Sequence, residues 1–260
     1  MIRGIWTAAT GMSAQQLSID NVANNLANTN TTGFKKSRAN FEDLMYQTFL
    51  IAGATTPGGG QVPTGIQVGM GVKPASVQKL YTQGDFLQTG NDLDMAIQGR
   101  GFFKVLHGDL ELYTRAGNFT LDSEGYITTT AGDRLQPETV IPEGTILVSI
   151  QSNGQLTAHG QDDTILLETE IPLHTFVNPS GLFAVGDNLL RETEGSGEAT
   201  EGTPGSDGVG ALVNQTLEMS NVAIVDEMVA MIVGQRSYEA NSKALTTGDR
   251  MLETAVGLKR

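Results

Sequence analysis

The sequence predicts an α+β protein whose N- and C-terminal segments are helical and whose middle is mainly β. Three observations lead to this prediction. Apolar residues follow a helical period up to about residue 41 and again from about residue 212, but they alternate with period two in between. Two stretches rich in Gly, Thr and Pro, at 53–65 and 192–210, interrupt the alternation as loops or linkers. The expected body is a small sandwich or an irregular barrel.

The N-terminal helix is predicted from a seven-residue repeat of apolar side chains. The repeat comprises Ile5, Met12, Ile19 and Leu26, with Val22 beside it. Gly33 suits the end of this segment, because glycine readily adopts the left-handed backbone found at helix C-termini. Residues 1–40 are therefore assigned to an N-terminal helix.

The C-terminal helix is predicted from a second apolar stripe, whose first residues are spaced three, four and three apart as in a coiled-coil seam. These residues are Val222, Val225, Val229 and Ile232, and Leu245 extends the stripe. Ser220 and Asn221 precede the stripe as helix-capping residues. Residues 211–260 are therefore assigned to a C-terminal helix.

The two terminal helices are expected to pair as a coiled coil, with the two apolar stripes as its seam. Two helices alone leave much of their surface exposed, and a lone amphipathic helix is only marginally stable in water. Helices from further copies of the chain are the natural additional partners. A helix bundle formed inside one chain is the alternative.

The middle of the chain is predicted to form short strands separated by turns. Strands are expected at 77–81, 102–106, 126–130, 146–150, 155–158, 165–168 and 171–177. Turn signals include "DSEGY" at 122–126 and "SNGQ" at 152–155. In "GRGFF" (99–103) the two phenylalanines are expected to alternate across a strand. The β domain is assigned to 77–191, followed by a linker at 192–210.

Composition and charge exclude several classes of function. The net charge of -13 lies mainly in the middle of the chain, which argues against nucleic acid as a partner. No run of about 18 apolar residues is present, so no membrane insertion is expected. The N-terminus lacks the continuous apolar core of a secretory signal peptide. The absence of cysteine excludes disulfides and Cys-ligated zinc.

No catalytic constellation is evident, so no enzyme activity, metal or cofactor is expected. His107, His159 and His174 are isolated from one another, without a second ligand at metal-binding spacing. The acid pairs Asp92/Asp94 and Asp162/Asp163 lie in turn-like contexts, where Asp commonly caps backbone groups. The glycine motifs at 69–71 and 99–101 lack the spacing of a dinucleotide-binding loop.

Asparagines are unusually frequent in "SIDNVANNLANTNTTGF" (18–34), although asparagine is a poor helix former. Asn21, Asn24, Asn25 and Asn28 lie on one side of the predicted helix, opposite the apolar stripe. Each amide both donates and accepts hydrogen bonds, so it can set the register of a tight interface without the cost of burying a charge. We therefore expect these amides to contact neighbouring subunits.

The chain resembles a known family along nearly its whole length. "NNLANTNTTGFKK" (24–36) resembles the N-terminal signature of bacterial flagellar axial proteins, the rod, hook and hook-associated subunits. The segment 213–253 is similar to the C-terminal region of these proteins, and 87–105 and 113–137 are similar to their β domain. The resemblance implies a helical assembly of many subunits. In such an assembly the subunit interfaces would contain the seam residues, the four asparagines and also Gly33, Phe34 and Asn241.

The segment 46–72 resembles an extra segment carried by distal rod members of this family. It implies a connecting region at 41–76 with an extended hairpin, at about 46–65, that packs between neighbouring subunits of a straight rod. "TPGGG" (56–60) suits the hairpin tip. The expected hairpin contacts are Phe49, Leu50, Ile51, Ile66 and Val68. A proximal rod or hook subunit is the alternative within the family, and a secreted acidic enzyme or adhesin is the alternative outside it.

The resemblance also implies partners and a location. The expected partners are other copies of the chain, other rod and hook proteins, the surrounding basal-body ring proteins and the flagellar type III export apparatus. The expected location is the extracytoplasmic basal body, reached without a cleaved signal peptide. The terminal helices are expected to become ordered only on assembly, when neighbours offset the entropy that ordering costs.

Overall fold

The computed structural model describes residues 2–53, 63–161, 164–206 and 208–257. The chain divides into two compact units. The first, here called the helical unit, comprises Met1–Leu26, Ser37–Gln78 and Ala223–Arg260, and the second, the β unit, comprises Ala27–Lys36 and Lys79–Val222. The predicted hairpin tip at 56–60 and the acid pair Asp162/Asp163 lie outside the described residues.

The helical unit contains the two helices that the sequence predicts. Helix α1 spans Ile2–Ala27 and helix α2 spans Ile224–Gly257. Each is shorter than the segment assigned to it, because the chain forms strands at Ser37–Asp43 and at Ala211–Asn214. Gly33 does not end α1, because the helix stops at Ala27, six residues earlier; its left-handed φ of 70° belongs to a later turn.

Helices α1 and α2 pack closely at three positions where one of them carries a glycine. A Cβ atom added to Gly234 would lie 3.0 Å from Ile19 Cγ1, and one added to Gly248 would lie 3.0 Å from Ile5 Cγ1. A Cβ added to Gly11 would lie 2.9 Å from Asn241 Nδ2. Contact positions rise along α1 as they fall along α2, so the helices are antiparallel, and bulky side chains of one cover glycines of the other.

The described part of the helical unit also contains four strands, which form two pairs. They are β1 (Ser37–Asp43), β2 (Tyr46–Leu50), β3 (Ile66–Gly69) and β4 (Val72–Lys79). Strand β1 pairs with β4, and β2 pairs with β3 in antiparallel register, with Tyr46 opposite Gly69 and Leu50 opposite Ile66. The pairing of β2 with β3 is that of a hairpin.

The β unit is built from short strands that the chain supplies in sixteen segments between residues 86 and 218 of the described part. They are β5 (Phe86–Gln88), β6 (Met95–Gln98), β7 (Phe103–His107), β8 (Leu110–Thr114), β9 (Thr120–Leu121), β10 (Ile127–Thr128), β11 (Arg134–Leu135), β12 (Leu147–Ile150), β13 (Gln155–His159), β14 (Ile165–Glu170), β15 (Leu173–Thr175), β16 (Phe183–Gly186), β17 (Leu189–Arg191), β18 (Thr200–Gly202), β19 (Ala211–Asn214) and β20 (Thr216–Glu218).

These strands form one large sheet and several small ones. The largest has the order β16-β17-β8-β7-β11-β10-β9, and a second has the order β12-β13-β14. The remaining pairs are β15-β18, β19-β6 and β20-β5. Strand β19 pairs with β6 and β20 pairs with β5. The last two strands before α2 therefore lie beside the first two strands of the β unit.

Two apolar clusters fill the β unit. The larger contains Phe103 and Phe119, whose rings meet edge to face at 5.3 Å between centroids. The smaller contains Phe102, Tyr113 and Phe176, again in edge-to-face contact. Because Phe102 and Phe103 belong to different clusters, the prediction that they alternate across a strand is confirmed.

Two segments differ from what the sequence indicates. Residues 192–210 have a linker-like composition, but Thr200–Gly202 pairs with β15 and Ser196 is buried. Ala199 and Val209 also pack against the apolar clusters, so the segment is part of the folded β unit. Residues 211–218 share a helical zone in the sequence, but they form β19 and β20 because β6 and β5 offer edges to pair with. The helix begins later, at Ile224.

Candidate assembly surfaces and the junction

The amides near the end of α1 bind inside the chain. Asn25 is 1% exposed; its Nδ2 donates to the Ser37 carbonyl oxygen at 2.9 Å, and its Oδ1 accepts from Ser37 N at 2.9 Å. Asn21 Nδ2 donates to the same carbonyl at 2.9 Å. Asn25 Nδ2 also donates to Glu227 Oε2 on α2 at 3.2 Å. These two amides therefore attach the start of β1 to α1, whereas the sequence predicted contacts with neighbouring subunits.

The other two amides lie in different surroundings. Asn24 is exposed, and Asn28 is half-buried and accepts a hydrogen bond from the Thr31 hydroxyl at 3.1 Å. Asn24 is thus the member of the set that presents its side chain at the surface of a single chain. Its contact with a neighbouring subunit stays a prediction.

The face of α2 that meets α1 is not the apolar stripe that the sequence indicated. Glu227, Gly234, Asn241 and Gly248 meet α1 at intervals of seven residues. Val225, Val229 and Ile232 are 72%, 55% and 56% exposed, so they do not form a seam within the chain. Val222 is buried in the β unit, before α2 begins.

The remaining predicted seam residues are partly covered. Val22 is buried, and the half-buried ones are Ile5, Met12, Ile19, Leu26 and Leu245. Two residues of the predicted repeat, Ile5 and Ile19, thus face α2, where their partners are the glycines Gly248 and Gly234.

The predicted hairpin contacts form an exposed apolar surface on β2, β3 and the residue that follows β2. Its members are Phe49, Leu50, Ile51, Ile66 and Val68. The Arg3 guanidinium lies 5.1 Å from the centre of the Phe49 ring, which places the start of α1 beside the hairpin. A two-stranded ribbon with so much exposed apolar surface is marginally stable in water.

A buried ionic cluster around Glu218 lies in the β unit, and the sequence did not indicate it. Glu218 is 0% exposed; its Oε1 is 2.5 Å from Lys35 Nζ and its Oε2 accepts from Arg115 Nε at 2.8 Å. Oε1 also accepts from Gln83 Nε2 at 2.6 Å and from Gly84 N at 3.0 Å. The carboxylate thus has partners on three separate segments, at 35, 83–84 and 115.

The two cations of the cluster have further partners. Lys35 Nζ donates to the Thr82 carbonyl at 2.7 Å, and Arg115 donates to the carbonyls of Gly99 and Gly101 at 2.6 and 2.9 Å. Burial lowers the pKa of Lys35, against the opposing effect of its hydrogen bond to Glu218. Such saturation of donors and acceptors is what a buried charge requires.

Asn221 extends this cluster along the backbone. Its Oδ1 accepts from Lys36 N at 2.7 Å, while its Nδ2 donates to the Leu80 carbonyl at 2.8 Å and to Thr82 Oγ1 at 2.7 Å. Leu80 N donates to the Lys36 carbonyl at 2.8 Å. We call the three segments 33–36, 79–84 and 216–222, with Arg115, the junction.

The predicted site residues Gly33 and Phe34 lie in the junction segment 33–36. Gly33 N donates to the Glu218 carbonyl at 2.8 Å, and a Cβ added to Gly33 would lie 2.6 Å from Ala116 N. Phe34 is half-buried. One feature of the sequence accompanies the cluster: Glu218 is a charged residue in a short strand, next to Leu217. Charged residues are equally common at exposed strand positions, so this feature does not indicate a buried ionic cluster.

Several acidic and histidine side chains in the described part of the chain bind neighbouring side chains of the β unit. Asp94 accepts from the side chains of Thr89 and Asn91, as a turn-capping carboxylate does. Asp92 accepts from Gln215 Nε2, and His107 pairs with Asp133 at 2.5 Å. Within the described ranges, no three His, Asp or Glu side chains are grouped so as to hold a metal ion. No helix in this part of the chain is long and apolar enough to span a membrane.

Comparisons with known proteins identify the class of this architecture. Residues 96–158 match the model of the flagellar hook protein FlgE/F/G D1 domain, and residues 213–258 match that of the flagellar basal body rod FlgEFG protein C-terminal region. Residues 5–35 match the flagella basal body rod protein model. The terminal helices and the β unit therefore carry the signatures of a flagellar rod or hook protein.

Full-length relatives narrow the class further. The chain is 47% identical to the flagellar basal-body rod protein FlgG of Borreliella burgdorferi, over 100% of both chains. It is 44% identical to FlgG of Caulobacter vibrioides, over 99% of this chain and 100% of the relative. The flagellar hook protein FlgE of Helicobacter mustelae is 41% identical over only 51% of this chain and 30% of its own length. The chain belongs to the FlgG family of flagellar basal-body rod proteins, which are structural subunits and not enzymes.

Proposed function

We propose that this protein is a subunit of the distal flagellar rod, which assembles helically with other copies into the stiff shaft that transmits motor torque to the hook. Membership of the FlgG family over the whole chain is the observation that carries this proposal. The hook relative matches about half of the chain, so the hook alternative is not favoured.

The exposed face of α2 supports assembly with further copies. A helix advances by 100° per residue, so Val225, Val229 and Ile232 lie opposite the side that carries Gly234 and Asn241. Fully burying one such side chain contributes about 1.5–3 kcal/mol, so an oligomer gains free energy by covering this face. A second copy of the chain is the proposed occupant.

We also propose that α1 and α2 pair as a coiled coil within each subunit. The seven-residue interval between Glu227, Gly234, Asn241 and Gly248 supports this, since such an interval keeps one face of a helix along its partner. For the β unit, the two separate apolar clusters support the sandwich or irregular barrel that the sequence predicts.

The partners and the location follow from family membership. We propose a place in the flagellar basal body, with other rod and hook proteins as axial neighbours. The ring proteins around the rod and the type III export apparatus complete the proposed partners. Asn24 and the five apolar residues of the hairpin, which are exposed in one chain, are the proposed contacts between copies.

A charge placed on the exposed face of α2 tests assembly. Val229→Asp should leave the fold of the β unit intact but abolish rods, since assembly would bury the new carboxylate in an apolar contact. Val177→Asp is the matched control, because Val177 is 91% exposed in the β unit. Rods are counted in isolated basal bodies by electron microscopy. Normal rod numbers in the Val229→Asp strain would contradict the proposed interface.

Deletion of the hairpin tests whether this protein is a subunit of the distal rod. Removing residues 47–63 from a distal rod subunit should yield a more flexible, curved structure, because the proposed contacts between copies are lost. The curvature of the assembled rods is measured in images of basal bodies. Rods of unchanged straightness would count against a distal rod assignment based on this segment.

A further inference from the structure

The junction lies where the chain passes between the two units. The four unit boundaries follow Leu26, Lys36, Gln78 and Val222, and the junction segments 33–36, 79–84 and 216–222 adjoin the last three of them. All the hydrogen bonds described for the junction lie within the β unit. Three of the four chain passages are therefore fastened to one another at a single place in the β unit.

The buried charges of the junction favour one arrangement of its three segments. A buried carboxylate between two buried cations is expensive to leave unpaired, so the cluster is stable only with its partners in place. Asn221 adds a bridge of neutral hydrogen bonds between the segments at 36 and 80. A short side chain that satisfies backbone groups on two segments fixes their relative register.

We propose that the junction is a positioning device that holds these three chain segments in one fixed geometry, with Glu218 and Asn221 as its positioning residues. Force that reaches the β unit through the chain from the hairpin strands or from α2 then enters at this site. The role in force transmission rests on the proposed function, whereas the local rigidity of the junction does not.

The alternative is that these residues simply add to the stability of the β unit. The two apolar clusters distinguish the two cases, since neither contains Lys35, Glu218 or Asn221. A positioning role predicts that the junction loosens while the clusters stay protected. A role in general stability predicts that both loosen together.

Hydrogen exchange in the purified full-length chain, followed by mass spectrometry, separates these cases. Asn221→Ala should accelerate exchange in segments 33–36 and 79–84 by about tenfold, because the lost hydrogen bonds allow local opening. Exchange in β7 and β8, at 103–114, should stay unchanged. Glu218→Gln should act in the same way and more strongly, since it leaves two buried cations without their carboxylate.

Glu111→Gln is the matched control, because it removes the carboxylate of an exposed ion pair, Lys104–Glu111, in the same unit. It should leave exchange in the junction unchanged. Unchanged exchange at 33–36 and 79–84 in Asn221→Ala would overturn the proposal. An equal acceleration at 103–114 would also overturn it, in favour of general stability.

The role in force transmission is tested in cells that carry the same variants. Asn221→Ala should build rods in normal number but swim more slowly than wild type in viscous medium, where torque is high, while Glu111→Gln should swim normally. Unchanged swimming, with a loosened junction, would overturn the mechanical role. If a strain lacking the chain still built complete rods, the proposed function would fail, and the exchange result would stand separately.

Discussion

The two units of this protein bury apolar side chains to very different extents. In the β unit, Phe103, Val105 and Leu156 are fully buried within an extended cluster. Among the described residues of the helical unit, the buried apolar side chains are Ala8, Ala14 and Val22. Large apolar side chains such as Trp6 and Val225 are instead exposed there.

This difference separates a region that is stabilised by its own core from one that gains stability from neighbours. Apolar burial is the main favourable contribution to folding, so the β unit has the means to fold as a single chain. The helical unit has long helices with little burial, and such helices obtain most of their stability from packing. Assembly is then the event that completes the second region.

The largest expected effect comes from removing a core side chain of the β unit. Phe103→Ala should lower the free energy of unfolding by about 3–5 kcal/mol, because it leaves a cavity against Phe119. The measurement is denaturant unfolding of the purified chain, followed by circular dichroism. Phe49→Ala is the control, since Phe49 is exposed on the hairpin, and it should have little effect on a single chain. Similar losses from both variants would contradict the contrast between the units.

A smaller effect is expected where the helices approach each other. Gly234→Leu improves helix propensity by about 0.8 kcal/mol, but overpacking against Ile19 costs about 1–3 kcal/mol, so packing should prevail. Fewer rods per cell should result, counted by electron microscopy. Val177→Leu adds bulk at a 91% exposed position of the β unit and should leave rod number unchanged. More rods in the Gly234→Leu strain would show that close approach of α1 and α2 is unimportant.

The smallest effect should be a gain of stability in the β unit. The Tyr81 hydroxyl is buried with no hydrogen-bond partner among the described residues. Tyr81→Phe should therefore raise the free energy of unfolding by about 1 kcal/mol at neutral pH, measured by denaturant unfolding. Tyr238→Phe, on the exposed surface of α2, should leave it unchanged. A loss of stability in Tyr81→Phe would show that the hydroxyl has a partner after all.

Tyr81 also gives the β unit a dependence on alkaline pH. Burial raises the pKa of Tyr81 from 10.0 to about 12, so the folded state retains a proton that the unfolded chain releases. Stability should therefore fall as pH rises from about 10 to 12. In Tyr81→Phe the free energy of unfolding should decrease less steeply with pH over this range. An unchanged slope would contradict the role given to Tyr81. Tyr113, whose pKa burial also raises to about 12, accounts for part of the remainder.

Much of the fold could be predicted from the sequence because local patterns carry it. The seven-residue repeat from Ile5 to Leu26 indicated α1, and the alternation around Phe102 and Phe103 indicated β7, whose Phe103 and Val105 are buried. Strands β19 and β20 were missed, since their pairing with β6 and β5 depends on residues more than a hundred positions away. The ionic cluster was missed for the same reason, because Lys35 and Glu218 lie far apart in the chain.

The sequence by itself determined where the two helices and some of the β segments lie, and which family the chain resembles. The tertiary structure decided which faces are covered. On α2, the valine and isoleucine stripe was the natural seam by hydrophobicity, yet Gly234, Asn241 and Gly248 face α1. Close packing depends on complementary shape as well as on apolar character: glycines on one helix accommodate Ile5 and Ile19 on the other. That complementarity exists only between two segments brought together in space, and it leaves the apolar stripe of α2 exposed in the single chain.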